Sequence, residues 1–401
     1  MAASVTEVEV DTVTEAESVL NAVKGIVLTL RENGREAEER GWLPDESLDL
    51  LDKAGVFRAA VPRRFGGLDL PLADQFALVA EIARGCGSAG WVTNAWTSSV
   101  WIVSQYPDRA QEEIYGPGDG ALRVSGAFTA TGTARRVDGG FVLNGSWRFN
   151  TGIRGADWDI LAARVERGDD EHEEVYAVVP AAEMTVADDW DVSAAAGTGS
   201  ATTSVRDLFV PAHRVVGVEV LEGEVTDRSN TGANGREYGL TGYVMALSAA
   251  AYIGMARAGL ELFLERLPGK SIAYSRWSEQ RAHPYVQYQV AAAANKIAAA
   301  EALAEGWNAR MQQAADDGAR LSVEERVEIR SRISYVVQLA TEAVETLHSV
   351  SGASVIARSA PFQRVHRDIQ GLALHGLMAP LGGFEAYGRV LVGLDPDTDY
   401  I

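Results

Sequence analysis

The chain has 401 residues, 47% of them hydrophobic, which is enough to bury a large core and to divide into about two or three domains. A formal charge of −20 argues against nucleic acid or an anionic membrane as a partner, so a phosphate-bearing ligand must find local arginines. The single cysteine, Cys86, cannot form an intramolecular disulfide; it reads as a small buried residue in a protein of the reducing cytoplasm.

In chain order, Met1 to Thr12 is acidic and lacks a basic stretch followed by an apolar run, so it reads as a frayed leader and not as a signal peptide. Val13 to Arg40 has apolar residues at helical spacing, and Asp45 to Lys53 follows as a short helix after Pro44. Helical spacing returns at Leu72 to Arg84, Ala89 to Tyr106 and Arg109 to Tyr115, which makes residues 1–121 an N-terminal helical domain. From Leu122 the texture changes. Runs such as Phe141-Val-Leu, Asp159-Ile-Leu-Ala-Ala-Arg-Val and Val175-Tyr-Ala-Val-Val alternate with Gly and Asp turns, predicting an antiparallel β domain over 122–221. Residues 222–239 are polar and glycine-bearing, a linker or loop suited to covering a pocket. From Leu240 an alanine-rich helical pattern runs on through Val286 to Ala315, Val323 to Val350 and a last stretch to Val392, giving a helical bundle over 240–401. Its apolar run Tyr243 to Met255 is shorter than a bilayer needs and is broken by Ser248 and Gly254, so it predicts a buried helix and no membrane. The histidines form no HExxH or other close ligand spacing, and no metal is expected.

Several motifs resemble the acyl-CoA dehydrogenases and their oxygenase relatives over nearly the whole chain. They are Val61-Pro-Arg-Arg-Phe-Gly-Gly, Ser125-Gly-Ala-Phe-Thr-Ala-Thr-Gly-Thr-Ala, Asp138-Gly-Gly-Phe-Val-Leu-Asn-Gly-Ser-Trp-Arg-Phe-Asn-Thr-Gly, Ala196-Gly-Thr-Gly-Ser, Asp207-Leu-Phe-Val-Pro and Arg364-Val-His-Arg-Asp. The resemblance implies an α+β fold: an N-terminal α-helical domain, a central antiparallel β domain and a C-terminal four-helix bundle. A flavin ring needs an apolar face and a polar edge, which a β wall beside a helical bundle can provide. By resemblance, Phe128, Thr129, Phe149, Asn150, Thr151, Thr198, Gly199 and Ser200 are expected around the flavin. The alternative is that Phe149 is core and the hydroxyls cap turns. For the flavin phosphate, Arg276 in Tyr274-Ser-Arg-Trp-Ser-Glu-Gln resembles the family's arginine segment, with Gln287 and Arg358 as further candidates. Such residues often reach across a subunit interface in this fold, so the resemblance implies a homotetramer.

A dehydrogenase of this fold needs a carboxylate base beside the flavin. The family places it after the Arg-Asp of the penultimate helix or on the first helix of the bundle. Here the first location reads Arg367-Asp-Ile-Gln-Gly-Leu-Ala-Leu-His-Gly, and the second, Tyr238 to Ala258, holds no acid. His375 stands almost in the base's place, as in the flavin monooxygenases of this fold that act on p-hydroxyphenylacetate and dibenzothiophene. An imidazole near pKa 6.5 can hydrogen-bond or shuttle a proton at neutral pH, the alternative being a helix-terminal histidine bonded to a carbonyl. The resemblance therefore implies a two-component monooxygenase. A separate flavin reductase delivers reduced FAD or FMN, and O2 reacts to a C4a-hydroperoxide that oxygenates an aromatic or polycyclic small molecule, in natural-product biosynthesis for example. The sequence has no GxGxxG between a strand and a helix, in keeping with no nicotinamide site. The expected catalytic pair is His375 and Thr151. The helix Gly90-Trp-Val-Thr-Asn-Ala-Trp-Thr-Ser-Ser-Val-Trp suggests an aromatic wall with Trp91 on the flavin and Asn94, Trp96 and Ser99 toward substrate, joined by Ser125 and His375. Trp96 and Trp101 can equally fill the seam against the bundle. Phenol hydroxylases of this group carry a histidine near the position of Ser99, so simple phenol ortho-hydroxylation is in doubt. An N-oxygenase of an amine or amino sugar and an acyl-CoA dehydrogenase are the competing readings.

Overall fold

The computed structural model describes residues 14–165, 173–221, 227–229, 237–398 and 400–401. The acidic leader and most of the 222–239 loop lie outside the described residues.

The chain starts with a capping box. Thr14 and Glu17 satisfy each other's backbone N–H and open α1 (Glu15–Arg40), and Gly41, left-handed at φ 64°, closes it. A short α2 (Asp45–Lys53) follows, then α3 (Leu72–Gly85) and α4 (Gly87–Val103), hinged at one extended residue, the buried Cys86 with φ −145°. The last helix before the sheet is α5 (Asp108–Tyr115). The helices lie where the apolar spacing predicts them: α1, α2 and α5 bury one stripe against their neighbours, whereas α4 is buried nearly all round.

The sheet holds β1 (Val124–Val137), β2 (Gly140–Trp147), β3 (Trp158–Val165), β4 (Glu174–Pro180), β5 (Thr185–Val186), β6 (Thr203–Pro211) and β7 (Val215–Gly217), in the order β5-β6-β2-β1-β3-β4-β7. Asp138 and Gly139 (φ 79°) turn the β1–β2 hairpin tightly. The pairs are antiparallel except β1 with β3, which is parallel, so the expected antiparallel sheet is in fact mixed. Alternation in sequence reports which face a side chain takes and not which way a strand runs. The cause is a crossing: after β2 the chain passes over the end of β1 through residues 148–157 and returns as β3 on its far side. β1 is bulged against β3 between Ala127 and Gly132, which leaves the successive residues Phe128 and Thr129 both exposed.

A short α6 (Val218–Leu221) leaves the sheet, and the C-terminal unit is built on α7 (Leu240–Glu265), α8 (Pro284–Asp316) and α9 (Val323–Ser349). Two short helices, α10 (Pro361–Leu372) and α11 (Pro380–Leu391), pack along them and complete the bundle. By length and composition α7 could cross a membrane, which the apolar run in the sequence understated, but 78% of its apolar window is buried inside the protein. It is the core helix, touching α3, α4, α9 and α10.

The close approach of α7 to α3 rests on Gly254, where a Cβ would overlap the backbone carbonyl of Ala80. Gly254→Ala is expected to destabilise the protein by about 1–3 kcal/mol, since backbone cannot yield as a flexible side chain can. Gly306→Ala on α8, with nothing within 4 Å of the new methyl, is expected to stabilise by about 0.5–1 kcal/mol. Denaturant midpoints at unchanged slope check both.

Candidate active site

The crossing segment is held from below. Trp147 at the end of β2 donates its indole N–H to the Ala162 carbonyl at 2.8 Å, and the next residues turn sharply, with Phe149 left-handed at φ 58° and its ring exposed. Asn150 is fully buried. Its backbone N–H donates to Ala201 O at 3.3 Å, and its amide donates to Asp159 Oδ2 at 2.6 Å and Thr203 Oγ1 at 3.0 Å. Thr151 then comes into a row of hydroxyls: Thr151 Oγ1 to Ser200 Oγ at 2.9 Å, Ser200 Oγ to Thr198 Oγ1 at 2.7 Å, and Thr198 Oγ1 donating to Ala195 O at 2.8 Å.

That last bond orients the row. A hydroxyl has one hydrogen. Thr198 spends its own on a carbonyl, so it accepts from Ser200, and Ser200 accepts from Thr151. Thr151 is thereby left with an oxygen that can only accept from a further group. The loop Ala195–Ser200 is fixed from the helical side: Ala195, left-handed at φ 52°, donates its N–H to Asp368 Oδ1 of α10 at 2.6 Å. Burial pushes the Asp368 carboxyl up to about 6, against the pull of the Ala195 N–H and of Arg364 and Arg367. Arg367 also donates to the Ser193 carbonyl and to Glu38.

From the bundle side, His375 follows α10 and packs its ring edge-on to Trp91, centroids 5.8 Å apart, while Tyr252 of α7 meets Trp91 at 6.0 Å and donates its hydroxyl to Leu372 O at 2.6 Å. The His375 ring has no hydrogen-bond partner among the described residues, and it is not tied to a carbonyl. The residue is exposed at its edge, and desolvation of the packed ring lowers its pKa from the ordinary imidazole value.

The three tryptophans of α4 do not form one wall. Five residues along a helix turn the side chain by roughly 140°, so they fan out. Trp91 faces His375. Trp96 packs on Trp42 and Phe57 and donates to Ser125 Oγ at 3.2 Å, and Trp101 stacks with Tyr243 at 4.2 Å. Trp96 and Trp101 thus fill seams. Asn94 is engaged between α4 and α7 with Ser248 and Ser98, and Ser125 is spent on the Thr151 carbonyl at 2.9 Å. Ser99 does face β1: a Cβ on Gly126 would stand 3.0 Å from its hydroxyl and 2.6 Å from the Phe128 ring.

The structure therefore gathers Trp91 and His375 at one place, Ser99 and Phe128 at another, and Phe149, Asn150, Thr151, Thr198, Gly199 and Ser200 along the turn and loop between β domain and helices. Thr129 lies exposed beside Phe128. Arg276, Gln287 and Arg358 sit exposed on the outer face of the bundle and make no described contact with this group. Glu385 is exposed, and His366 bonds Glu345 at 2.7 Å while stacking on His348. Sequence reasoning missed Asp159, Asp368 and Tyr252 as parts of the site. An acid inside the otherwise apolar run of β3 was the available signal for Asp159.

The chain matches the family models "Acyl-CoA dehydrogenase, N-terminal domain" over residues 15–118 and "Acyl-CoA dehydrogenase, C-terminal domain" over residues 246–380. It is 28% identical to the flavin-dependent monooxygenase oxygenase subunit HsaA of Rhodococcus jostii (strain RHA1), over 95% of this chain and 99% of that one. It is also 28% identical to the FADH2-dependent resorcinol hydroxylase, oxygenase component, of Rhizobium sp. (strain MTP-10005), over 95% and 96%. The solved structure of XiaF from Streptomyces sp. in complex with FADH2 and glycerol matches with a TM-score of 0.89 at 28% identity, over 96% of this chain and 98% of that one.

Ser200 is the only link in the row that touches both Thr151 and Thr198. Ser200→Ala is expected to lower the unfolding free energy by about 1–2 kcal/mol, measured by denaturant titration of the flavin-free protein.

Proposed function

The chain belongs to the oxygenase components of flavin-dependent monooxygenases built on the acyl-CoA dehydrogenase fold, and from that premise we propose that it hydroxylates a neutral aromatic molecule larger than a single phenol ring, using reduced FAD from a separate reductase. The observation that carries the reading is His375, an imidazole with no hydrogen-bond partner among the described residues, packed on Trp91, with no carboxylate in the dehydrogenase positions. The first acid along α7 is Glu261, bound to Arg31 at 2.6 Å and Arg84 at 2.8 Å, and Glu385 faces solvent. Neither can take an α-proton.

The residues fit a flavin. Phe149 is 64% exposed and Phe128 37%, unusual for large apolar rings, and both adjoin backbone and hydroxyl groups suited to a ring's polar edge. Bound and reduced, the flavin supplies the electrons that activate O2. Thr151, whose hydrogen is committed inward, offers an acceptor matched to the N–H that reduced flavin carries at N5. His375 Nδ1 or Nε2 accepts or returns a proton at the reacting edge, which neutrality makes possible. Trp91 and Tyr252 exclude water behind it. Ser99 beside Phe128 gives the substrate pocket a small hydroxyl where phenol-specific relatives carry histidine, leaving room for a larger ring system such as a natural product.

FADH2 is preferred over reduced FMN because it is the form in the names of the resorcinol hydroxylase and of the XiaF complex. Arg276, Gln287 and Arg358 then serve the phosphates of a flavin held by a neighbouring subunit of a homotetramer. The exposed apolar side chains of Leu374, Leu381, Leu391 and Val392 suit burial in such an assembly. The buried thiol of Cys86 suits a cytoplasmic protein. N-oxygenation of an amine or amino sugar is disfavoured, since neither the Trp91–His375 pair nor the Ser99–Phe128 pair is described with an acid that could hold an ammonium.

Product formation is expected only when NADH and a flavin reductase are added together. His375→Ala is expected to keep reduced-flavin binding and to lose about a hundredfold in product formed per NADH consumed, the excess appearing as hydrogen peroxide. In the unaltered protein the acid limb of this coupling lies below pH 6.5, because burial depresses the imidazole pKa from its ordinary 6.5, and protonation on that side removes the acceptor. Coupling unchanged by His375→Ala removes the residue from the reaction.

A further inference from the structure

Asp159 is an acid that the fold gives no opposite charge. It is the second residue of β3, fully buried, with Ser125 of β1 and Val179 of β4 as its register partners and Asn150 and Thr203 packed against its side chain. The charged groups on the surrounding elements are spent elsewhere. Arg123 pairs with Asp157 at 3.0 Å, and Arg214 pairs with Glu113 and lies over the Trp158 ring. Among the described residues none forms an ion pair with Asp159. Burial pushes its carboxyl up to about 7, against the pull of the Asn150 amide and the Ile160 N–H.

The hydrogens can be counted. Asn150 has two on its amide nitrogen, and both are placed, one on Asp159 Oδ2 and one on Thr203 Oγ1. Asn150 Oδ1 and Asp159 Oδ1, both buried, have no hydrogen-bond partner among the described residues. A proton on Asp159 Oδ1 would supply the donor that this pair of acceptors lacks and, shared with Asn150 Oδ1, would add a second bond between the two side chains. Without it, two acceptors are buried together with no donor, which proteins rarely tolerate.

We propose that Asp159 is kept as a neutral carboxylic acid and, through its paired bonds to Asn150, is the positioning residue that sets the Phe149–Thr151 turn. The consequence for catalysis rests on the reading of that turn as the flavin's edge; the hydrogen count does not. The folded pKa lies above the ordinary 3.8, so the stabilising contribution is full below about pH 4 and is lost as pH rises through about 7.

The test uses the full-length, flavin-free protein and two variants. Asp159→Asn keeps one donor and one acceptor but cannot ionise, and Asp159→Ala removes the pair. Hydrogen–deuterium exchange of peptides spanning 148–153, corrected for intrinsic rates, is compared at about pH 6 and pH 9. Exchange in the unaltered protein is expected to rise about tenfold across this range, while Asp159→Asn stays protected at both values and Asp159→Ala, where it folds, is unprotected at both. A pH-difference infrared spectrum is expected to show a protonated-carboxyl band that Asp159→Asn lacks. Exchange independent of pH in the unaltered protein, Asp159→Asn behaving like Asp159→Ala, or a protonated-carboxyl spectrum unchanged by Asp159→Asn overturns the proposal. If the exchange pattern holds while reduced-flavin binding and hydroxylation ignore pH and both variants, the flavin reading of the turn fails and the proton on Asp159 stands.

Discussion

A buried hydrogen bond across 173 positions of sequence, the Ala195 N–H on the Asp368 carboxylate, joins the two halves of the protein at the site, with Arg367 on the Ser193 carbonyl beside it. It is short, buried and charge-assisted, a kind worth about 1.5–3 kcal/mol. On one side of it stands α10, packed on α7, so the carboxylate is carried by the helical core. On the other side stands the Ala195–Ser200 loop, whose hydroxyls carry the position onward to Thr151. The same helix leads directly to His375. One element therefore places both the loop that orients Thr151 and the imidazole that faces Trp91, and their relative position is set by a rigid body instead of by two independent loops.

The β half supplies the complementary constraint. The turn that bears Phe149, Asn150 and Thr151 exists because β3 returns parallel to β1, which forces the chain to cross the sheet end between residues 148 and 157. A plain hairpin meander would have no such crossing. The site thus sits at the one parallel pairing among the described strands, walled by the bulge of β1 that exposes Phe128 and Thr129 together. Irregular connections laid on a rigid scaffold are where binding groups concentrate, and here the scaffold is anchored by Trp147 in the sheet and by Asp368 in the bundle.

Much of this was legible in the sequence and some was not, for identifiable reasons. Helices announce themselves by a repeating apolar stripe, so α1, α3, α4, α8 and α9 were readable to within a few residues, and of α7 its start and its apolar run Tyr243 to Met255. The glycine- and hydroxyl-bearing segments around 150 and 198 marked the turns, because such residues permit left-handed backbone and short polar contacts. What periodicity cannot convey is direction and rotation. The parallel β1–β3 pair escaped because alternation is the same for both strand directions, and the three tryptophans of α4 suggested a common wall although their angular spacing sends them into three separate packings. Asn94, Trp96 and Ser125 drew attention as polar or aromatic groups near the motifs, and their hydrogen bonds turn out to hold the scaffold. Asp159 was passed over as one residue in a strand, since only burial without a cation makes it conspicuous.

The distribution of backbone strain ties these observations together. Phe149 and Ala195 are both left-handed without being glycine, a conformation that costs about 1–3 kcal/mol and persists only when the surroundings over-determine it. Each is followed or flanked by a buried polar bond, Asn150 on Asp159 in one case and Ala195 on Asp368 in the other. In both, the acceptor is a carboxyl whose pKa burial raises, so the desolvation of an acid accompanies the holding of a turn. A protein selected for stability alone has no reason to bury two carboxyls to hold two strained residues a short distance apart. Under the proposed reading, in which Thr151 and His375 would face one ligand, that reason exists, because an ångström of slack at either group would cost more in the reaction than the strain costs in the fold.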